Sequence, residues 1–241
     1  MMNLESYRYI AHRGLYDKLD VPENSMKAFE NAILKGYAIE LDVNMTLDGY
    51  LVVFHDESLK RMTGIKNNIT NLNLNELKKL KLLGSNNTIP TFEDVLMLVN
   101  GKVPLMIEVK KNEKYKELMP KLINLLQKYN GEYVIESFDP RIIYWLKKNS
   151  PDIIRGQLAS KNIREVKNRF LKFLLGKMFF NFITKPQFVS YLFTEVDTKF
   201  YKKQKRKNRD VAVWTIKNKE DYNKVKNSSD MFIFENEETI K

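Results

Sequence analysis

The amino-acid sequence predicts an α/β protein of alternating strands and helices, and three observations carry that reading. Short β-rich runs recur along all 241 residues. Segments with helical spacing separate them, as in domains whose sheet is parallel. Charged residues close several of the otherwise apolar runs, where an α/β sheet places its chemistry.

The predicted parallel strands are, in order, Tyr7–Ala11, Ala38–Val43, Pro104–Val109, Tyr133–Ser137, Ile153–Gly156, Phe188–Leu192, Val211–Trp214 and Met231–Phe234. Between them, Phe29, Ala32 and Ile33 share one helix face, as do Leu118, Leu122, Leu125 and Leu126. Thr91 with Asp94 three residues on reads as a capping box, and Asp139 followed by Pro140 reads as a helix start. Asp48-Gly49 separates Val43-Asn44-Met45 from Leu51-Val52-Val53-Phe54, which predicts an antiparallel hairpin arm that folds His55 back beside Asp42. Residues 56–90, rich in Asn, Lys and Leu, break the rhythm and read as a small inserted subdomain. No repeat or Gly/Ser linker divides the chain, so residues 1–241 are expected to form one domain.

With 43% hydrophobic and 29% charged residues, the composition is that of a folded protein. The absence of cysteine excludes disulfides, thiolate nucleophiles and Cys-ligated zinc, and fits a reducing compartment. Met1 to Tyr9 lacks the apolar core of a signal peptide, so a cytoplasmic location is expected, peripheral at the inner membrane surface if the chain meets a bilayer. A net charge of +11 favours phosphate-bearing partners.

Four clusters carry chemistry. His12-Arg13-Gly14 closes the first strand. Glu40 and Asp42 alternate with Ile39, Leu41 and Val43, so at strand period two both carboxylates share one face. His55 ends the hairpin arm with Asp56 as a possible orienting partner, and Glu108 and Lys110 share a face of the strand that carries them. Three acids without cysteine suit a hard divalent cation, Mg²⁺ or Ca²⁺. Arg13 and Lys110 can donate to phosphoryl oxygens, and His12 and His55, the two histidines of the chain, are left for proton transfer.

In this order, His12-Arg13-Gly14, Pro22-Glu23-Asn24, Glu40-Leu41-Asp42-Val43, Thr46-Leu47-Asp48-Gly49, His55-Asp56 and Glu108-Val109-Lys110 resemble the glycerophosphodiester phosphodiesterases. Ser137-Phe138-Asp139-Pro140 and Val213-Trp214-Thr215 extend the resemblance over nearly the whole chain. It implies a TIM (β/α)8 barrel of the PLC-like phosphodiesterase type with a small insertion. It also implies hydrolysis of a small-molecule glycerophosphodiester to glycerol 3-phosphate and an alcohol. The metal ligands fall on Glu40, Asp42 and Glu108, the acid–base pair on His12 and His55, and the phosphate contacts on Arg13 and Lys110. Glu23 and Asn24 match a supporting motif, and Trp214 matches an aromatic wall near the alcohol. Ile233-Phe234-Glu235-Asn236-Glu237 departs from the family pattern at the closing loop.

Two alternatives stay open beside this reading. One is lysophospholipase D-type hydrolysis at a membrane; the other is a catalytically silent phospholipid-binding module. Phe170–Ile183 is too short and charged to span a bilayer. It reads either as a buried barrel helix or as an interfacial segment assisted by Lys167, Arg169 and Lys185. The basic run from Lys202 to Arg209 is a solvated helix end or an anionic-membrane contact, with no nucleic-acid motif beside it.

Overall fold

Apolar strands buried on both faces form only where helices cover them, and the computed structural model follows that rule. It describes residues 5–17, 20–161 and 169–240; Met1 to Leu4 and Lys167, named above, lie outside the described residues. The chain forms two compact units, one of residues 11–133 and one of residues 1–10 with 134–241.

Through the first unit run the end of β1 (Tyr9–His12), α1 (Met26–Lys35), β2 (Ala38–Met45), β3 (Leu51–Val53), α2 (Lys60–Thr63), α3 (Leu74–Leu77), α4 (Phe92–Val99), β4 (Leu105–Val109) and α5 (Tyr115–Leu126). All eight residues of β2 are buried. It pairs in parallel with β4, with Asp42 opposite Glu108, and antiparallel with β3, with Val43 opposite Val53. The hairpin turns at Gly49, whose φ of 84° is open to glycine without strain. Ser25 caps α1 by accepting from Ala28 N, and Thr91 and Asp94 form the expected capping box on α4.

Residues 56–90 fold as α2, a 3₁₀ turn and α3. Leu59, Met62, Ile69, Leu77, Leu82 and Ile89 gather there over Val52 and Phe54 of the hairpin arm. The segment therefore has an apolar core of its own that ends on the strand leading to His55.

The second unit holds β5 (Tyr133–Ser137), α6 (Pro140–Asn149), β6 (Arg155–Ala159), α7 (Arg169–Gly176), α8 (Asn181–Thr184), β7 (Phe188–Leu192), α9 (Thr198–Lys205), β8 (Asp210–Ile216), α10 (Lys219–Val225) and β9 (Met231–Phe234). Its strands pair in parallel in chain order, for example Gln157 with Val189 and Ser190 with Ala212. Asp139 caps α6 as expected, accepting from Arg141 N.

Two expectations need correction here. The strand placed at Ile153–Gly156 runs later, at Arg155–Ala159, because Gln157 is buried with its amide donating to the carbonyls of Ser137 and Phe138. A polar residue so satisfied continues a strand that apolar patterning would end. Nor is Phe170–Ile183 a buried barrel helix: it divides into α7 and α8 around a left-handed Met178, and several of its rings stand in solvent. Among the described residues no helix is long and apolar enough to cross a membrane.

Candidate active site

At the end of β1 the chain turns sharply, with Arg13 at φ 58° and Gly14 at φ 79°. A Cβ on Gly14 would lie 2.8 Å from the backbone carbon of Ala28, so only glycine lets α1 approach this closely. The turn aims Arg13 N at Glu40 Oε2 (2.9 Å) and brings His12 Nε2 to 4.0 Å from the same oxygen. Asn24, also left-handed at φ 55°, donates from its backbone to the Arg13 carbonyl and from its side chain to Asp42 Oδ2 at 2.8 Å.

Glu40 and Asp42 share a face of β2, and Glu108 reaches them from the neighbouring strand. One oxygen from each of these three buried carboxylates lies within 4.8 Å of the other two. Arg13 Nε is 3.5 Å from Asp42, and Lys110 Nζ is 2.6 Å from Glu108 and 3.3 Å from Asp42. Burial alone would raise the Asp42 carboxyl, but Lys110, His55, Arg13 and Asn24 together hold it well below the usual carboxylate range. For Glu108 burial prevails over Lys110 and pushes its carboxyl up. Burial opposes charge on Lys110 too, yet Glu108 and Asp42 keep its ammonium firmly protonated.

His55 is placed by two hydrogen bonds that fix the backbone of Phe54, the residue before it. Phe54 N donates to the Asp42 carbonyl (2.9 Å), and Asn44 Nδ2 donates to the Phe54 carbonyl (2.8 Å). The ring's Nδ1 meets Asp56 Oδ1 at 2.6 Å. Asp56 in turn accepts from Arg61, which also forks onto Glu23, and Glu23 holds Arg13 at 2.6 Å. A continuous ladder of charge thus joins His55 to Arg13.

The donor set fits a divalent cation. Among the described residues of this network, five acids, Glu23, Glu40, Asp42, Asp56 and Glu108, face three permanent cations, Arg13, Arg61 and Lys110. Buried like charges of this kind call for a bound positive ion, and oxygen donors select a hard one.

Of the residues singled out in the sequence, His12, Arg13, Glu23, Asn24, Glu40, Asp42, His55, Glu108 and Lys110 all belong to the first unit and to this network. Trp214 lies in the second unit, on β8, edge-on to Phe138 with ring centroids 5.7 Å apart. Sequence reasoning missed Arg61 and Asn44. Arg61 had one signal, as the single arginine of the lysine-rich stretch 56–90. Asn44 continues the Glu40, Asp42 alternation and was legible by that period.

Comparison with known proteins decides the family. Residues 12–233 match the profile of the glycerophosphoryl diester phosphodiesterase family. The chain belongs to that family. A glycerophosphodiester phosphodiesterase of Caldanaerobacter subterraneus subsp. tengcongensis is 33% identical over 248 residues, spanning 96% of this chain and 95% of that one. A human lysophospholipase D is 33% identical over 140 residues, which is 53% of this chain and 43% of the relative. Among solved structures, the glycerophosphodiester phosphodiesterase of Thermotoga maritima superposes with a TM-score of 0.75 at 25% identity, covering 96% of both chains. A phosphodiesterase of Oleispira antarctica, solved with its product sn-glycerol-3-phosphate, gives 0.80 at 22% identity over 94% of this chain and 92% of its own. This likeness gives the family member the fold expected from its sequence, the TIM (β/α)8 barrel.

Proposed function

We propose that this family member hydrolyses glycerophosphodiesters to glycerol 3-phosphate and an alcohol at the network around Glu40, Asp42 and Glu108. The observation that carries the reading is the convergence of three buried carboxylates within 4.8 Å, beside two cations and two histidines. The overall match to a named phosphodiesterase along almost its full length supports the reaction class.

Glu40, Asp42 and Glu108 would hold the divalent cation, Mg²⁺ or Ca²⁺. When bound, such an ion neutralises charge that develops on the phosphoryl oxygens. Arg13 and Lys110 supply N–H donors to the same phosphate, already oriented by Glu23 and Glu108. Asp56 occupies His55 Nδ1 and so leaves Nε2 for the reacting groups. One histidine accepts the proton of the attacking oxygen, either water or a substrate hydroxyl whose cyclic phosphate water then opens, and the other returns a proton to the alkoxide whose bond to phosphorus breaks. Glu23 and Asn24 support Arg13 and Asp42. Residues 56–90 form an insertion within one barrel domain and hold His55 from outside through Arg61.

A second reading keeps this chemistry and exchanges the substrate for a lysophospholipid, favoured by the human lysophospholipase D relative and by the exposed rings of α7 and α8. Release of glycerol 3-phosphate from glycerophosphocholine, with Mg²⁺ or Ca²⁺ and beside EDTA-treated protein, separates the readings. Metal-dependent turnover abolished in His12→Ala and Glu40→Gln is the expected result. Turnover of single-chain lipid alone would establish the second reading. Inactivity on both substrates with every metal would sink both and leave a silent binding module.

A further inference from the structure

The second unit carries a surface that the proposed chemistry leaves unused. Phe170 (71% exposed), Phe173 (58%), Phe179 (54%), Phe182 (63%) and Ile183 (40%) stand in solvent on α7, α8 and the turn between them. Soluble proteins seldom expose so many large apolar side chains in one short stretch unless something covers them. The exposure is organised. Phe170 and Phe173 lie one turn apart on α7 and share a face. Phe179 and Phe182 meet edge-on at 5.4 Å. Helix α8 sits against α6, whose Lys147 donates to the Ile183 carbonyl. That helix adds the exposed ring of Tyr144, with Lys147 and Lys148 each about a ring's reach from it, at 5.9 and 6.0 Å.

Charge identifies the partner. From Arg169 to Thr194 the sequence has no Asp or Glu, while Arg169, Lys172, Lys177 and Lys185 all fall within it. Lys177 lies 5.9 Å from the Phe173 ring centroid. Isologous contact with a second copy would bring this cationic face against itself. A bilayer interface instead meets both halves of the pattern: rings enter the boundary between headgroups and acyl chains, and lysines stay among anionic headgroups.

We propose that the α7–α8 face docks the protein on the surface of an anionic bilayer. This is independent of which phosphodiester is hydrolysed, because no residue of the face belongs to the acid–base network.

The test is flotation of the full chain with phosphatidylcholine vesicles containing about 30% phosphatidylglycerol, beside pure phosphatidylcholine vesicles. Binding about tenfold stronger to the anionic vesicles is expected, released by about 0.5 M salt. Phe170→Ser/Phe182→Ser and Arg169→Glu/Lys177→Glu should each weaken it about tenfold while the melting temperature stays that of the parent, since these side chains are exposed. No flotation with anionic vesicles, or equal flotation of both variants and the parent, would overturn the proposal. So would a concentration-dependent dimer in sedimentation that the phenylalanine variant abolishes, since a second copy would then be the occupant.

Discussion

Arg61 forks onto Glu23: its Nη2 lies 2.6 Å from Oε1 and its Nη1 2.9 Å from Oε2. The same guanidinium binds both oxygens of Asp56, at 2.6 and 3.1 Å. One side chain of the insertion thereby fixes the carboxylate behind His55 and the carboxylate behind Arg13. The planar fork makes this double engagement possible, and an ammonium cannot reproduce it.

Arg61→Lys should therefore lower kcat/KM by about 10- to 100-fold, the range for groups that orient reacting residues from behind. Arg61 acts as a positioning residue, so the loss should fall mainly on kcat and alter the pH–rate profile. A purely structural role would instead lower the melting temperature and leave the profile's shape intact. Steady-state kinetics across pH, beside thermal melts, separate the two.

Asp56 provides a pH test. Burial tends to raise its carboxyl, but the hydrogen bonds from His55 and Arg61 outweigh this and hold it well below the ordinary range. A depressed carboxyl stabilises the fold fully above the unfolded value of about 4, and that stability fades as pH falls through the lower folded value. In melts taken from pH 6 downward, about the acidic range where carboxylates titrate, Asp56→Asn should lose less stability than the parent. The same variant should lose activity at neutral pH, because an amide no longer fixes which ring nitrogen of His55 carries the proton. A variant with parental acid sensitivity and parental turnover would refute both statements.

The strand ends that carry chemistry were legible because two signals coincide there: period-two burial and a charge that interrupts it. Glu40, Asp42 and Glu108 are readable in this way, and so is the hairpin, since Asp48-Gly49 suits its turn. Arg61 was not, because its role depends on where a lysine-rich insertion returns to the loop at Glu23, a pairing separated by 38 positions. Gln157 misled for a related reason: a distant carbonyl pair satisfies it, and local polarity cannot show that. The split of Phe170–Ile183 into exposed helices escaped because helical spacing describes a face without saying what lies against it.

The carboxylate cluster should bind its cation in the absence of substrate. Millimolar Mg²⁺ or Ca²⁺ should raise the melting temperature, because an ion bound only by the folded chain stabilises it by mass action. Glu40→Gln and Asp42→Asn should abolish that rise. Glu40→Gln should also make the metal-free protein no less stable, since it removes one of three crowded acids. Calorimetric titration that finds equal affinity in the parent and Glu40→Gln would place the ion elsewhere.

Gly14 and Gly36 share a left-handed backbone, at φ 79° and 72°, and differ in what surrounds them. A Cβ at Gly36 meets nothing within 4 Å, so Gly36→Ala adds only the conformational penalty of about 1 kcal/mol. At Gly14 the same methyl meets the Ala28 backbone at 2.8 Å and its Cβ at 2.9 Å. Relief requires α1 or the turn to move, and that turn carries Arg13 N against Glu40 and the Arg13 carbonyl against Asn24. Gly14→Ala should cost roughly 2 kcal/mol or more, a fall of about 4–8 °C in melting temperature for a chain of this length. Its activity should fall by at least about 100-fold, far beyond what the stability change explains, because the displaced Arg13 is the group proposed to hold the reacting phosphate. Gly36→Ala should melt about 2–4 °C lower and turn over at the parental rate. Equal losses of activity in the two variants would mean that the close approach of α1 has no part in holding Arg13.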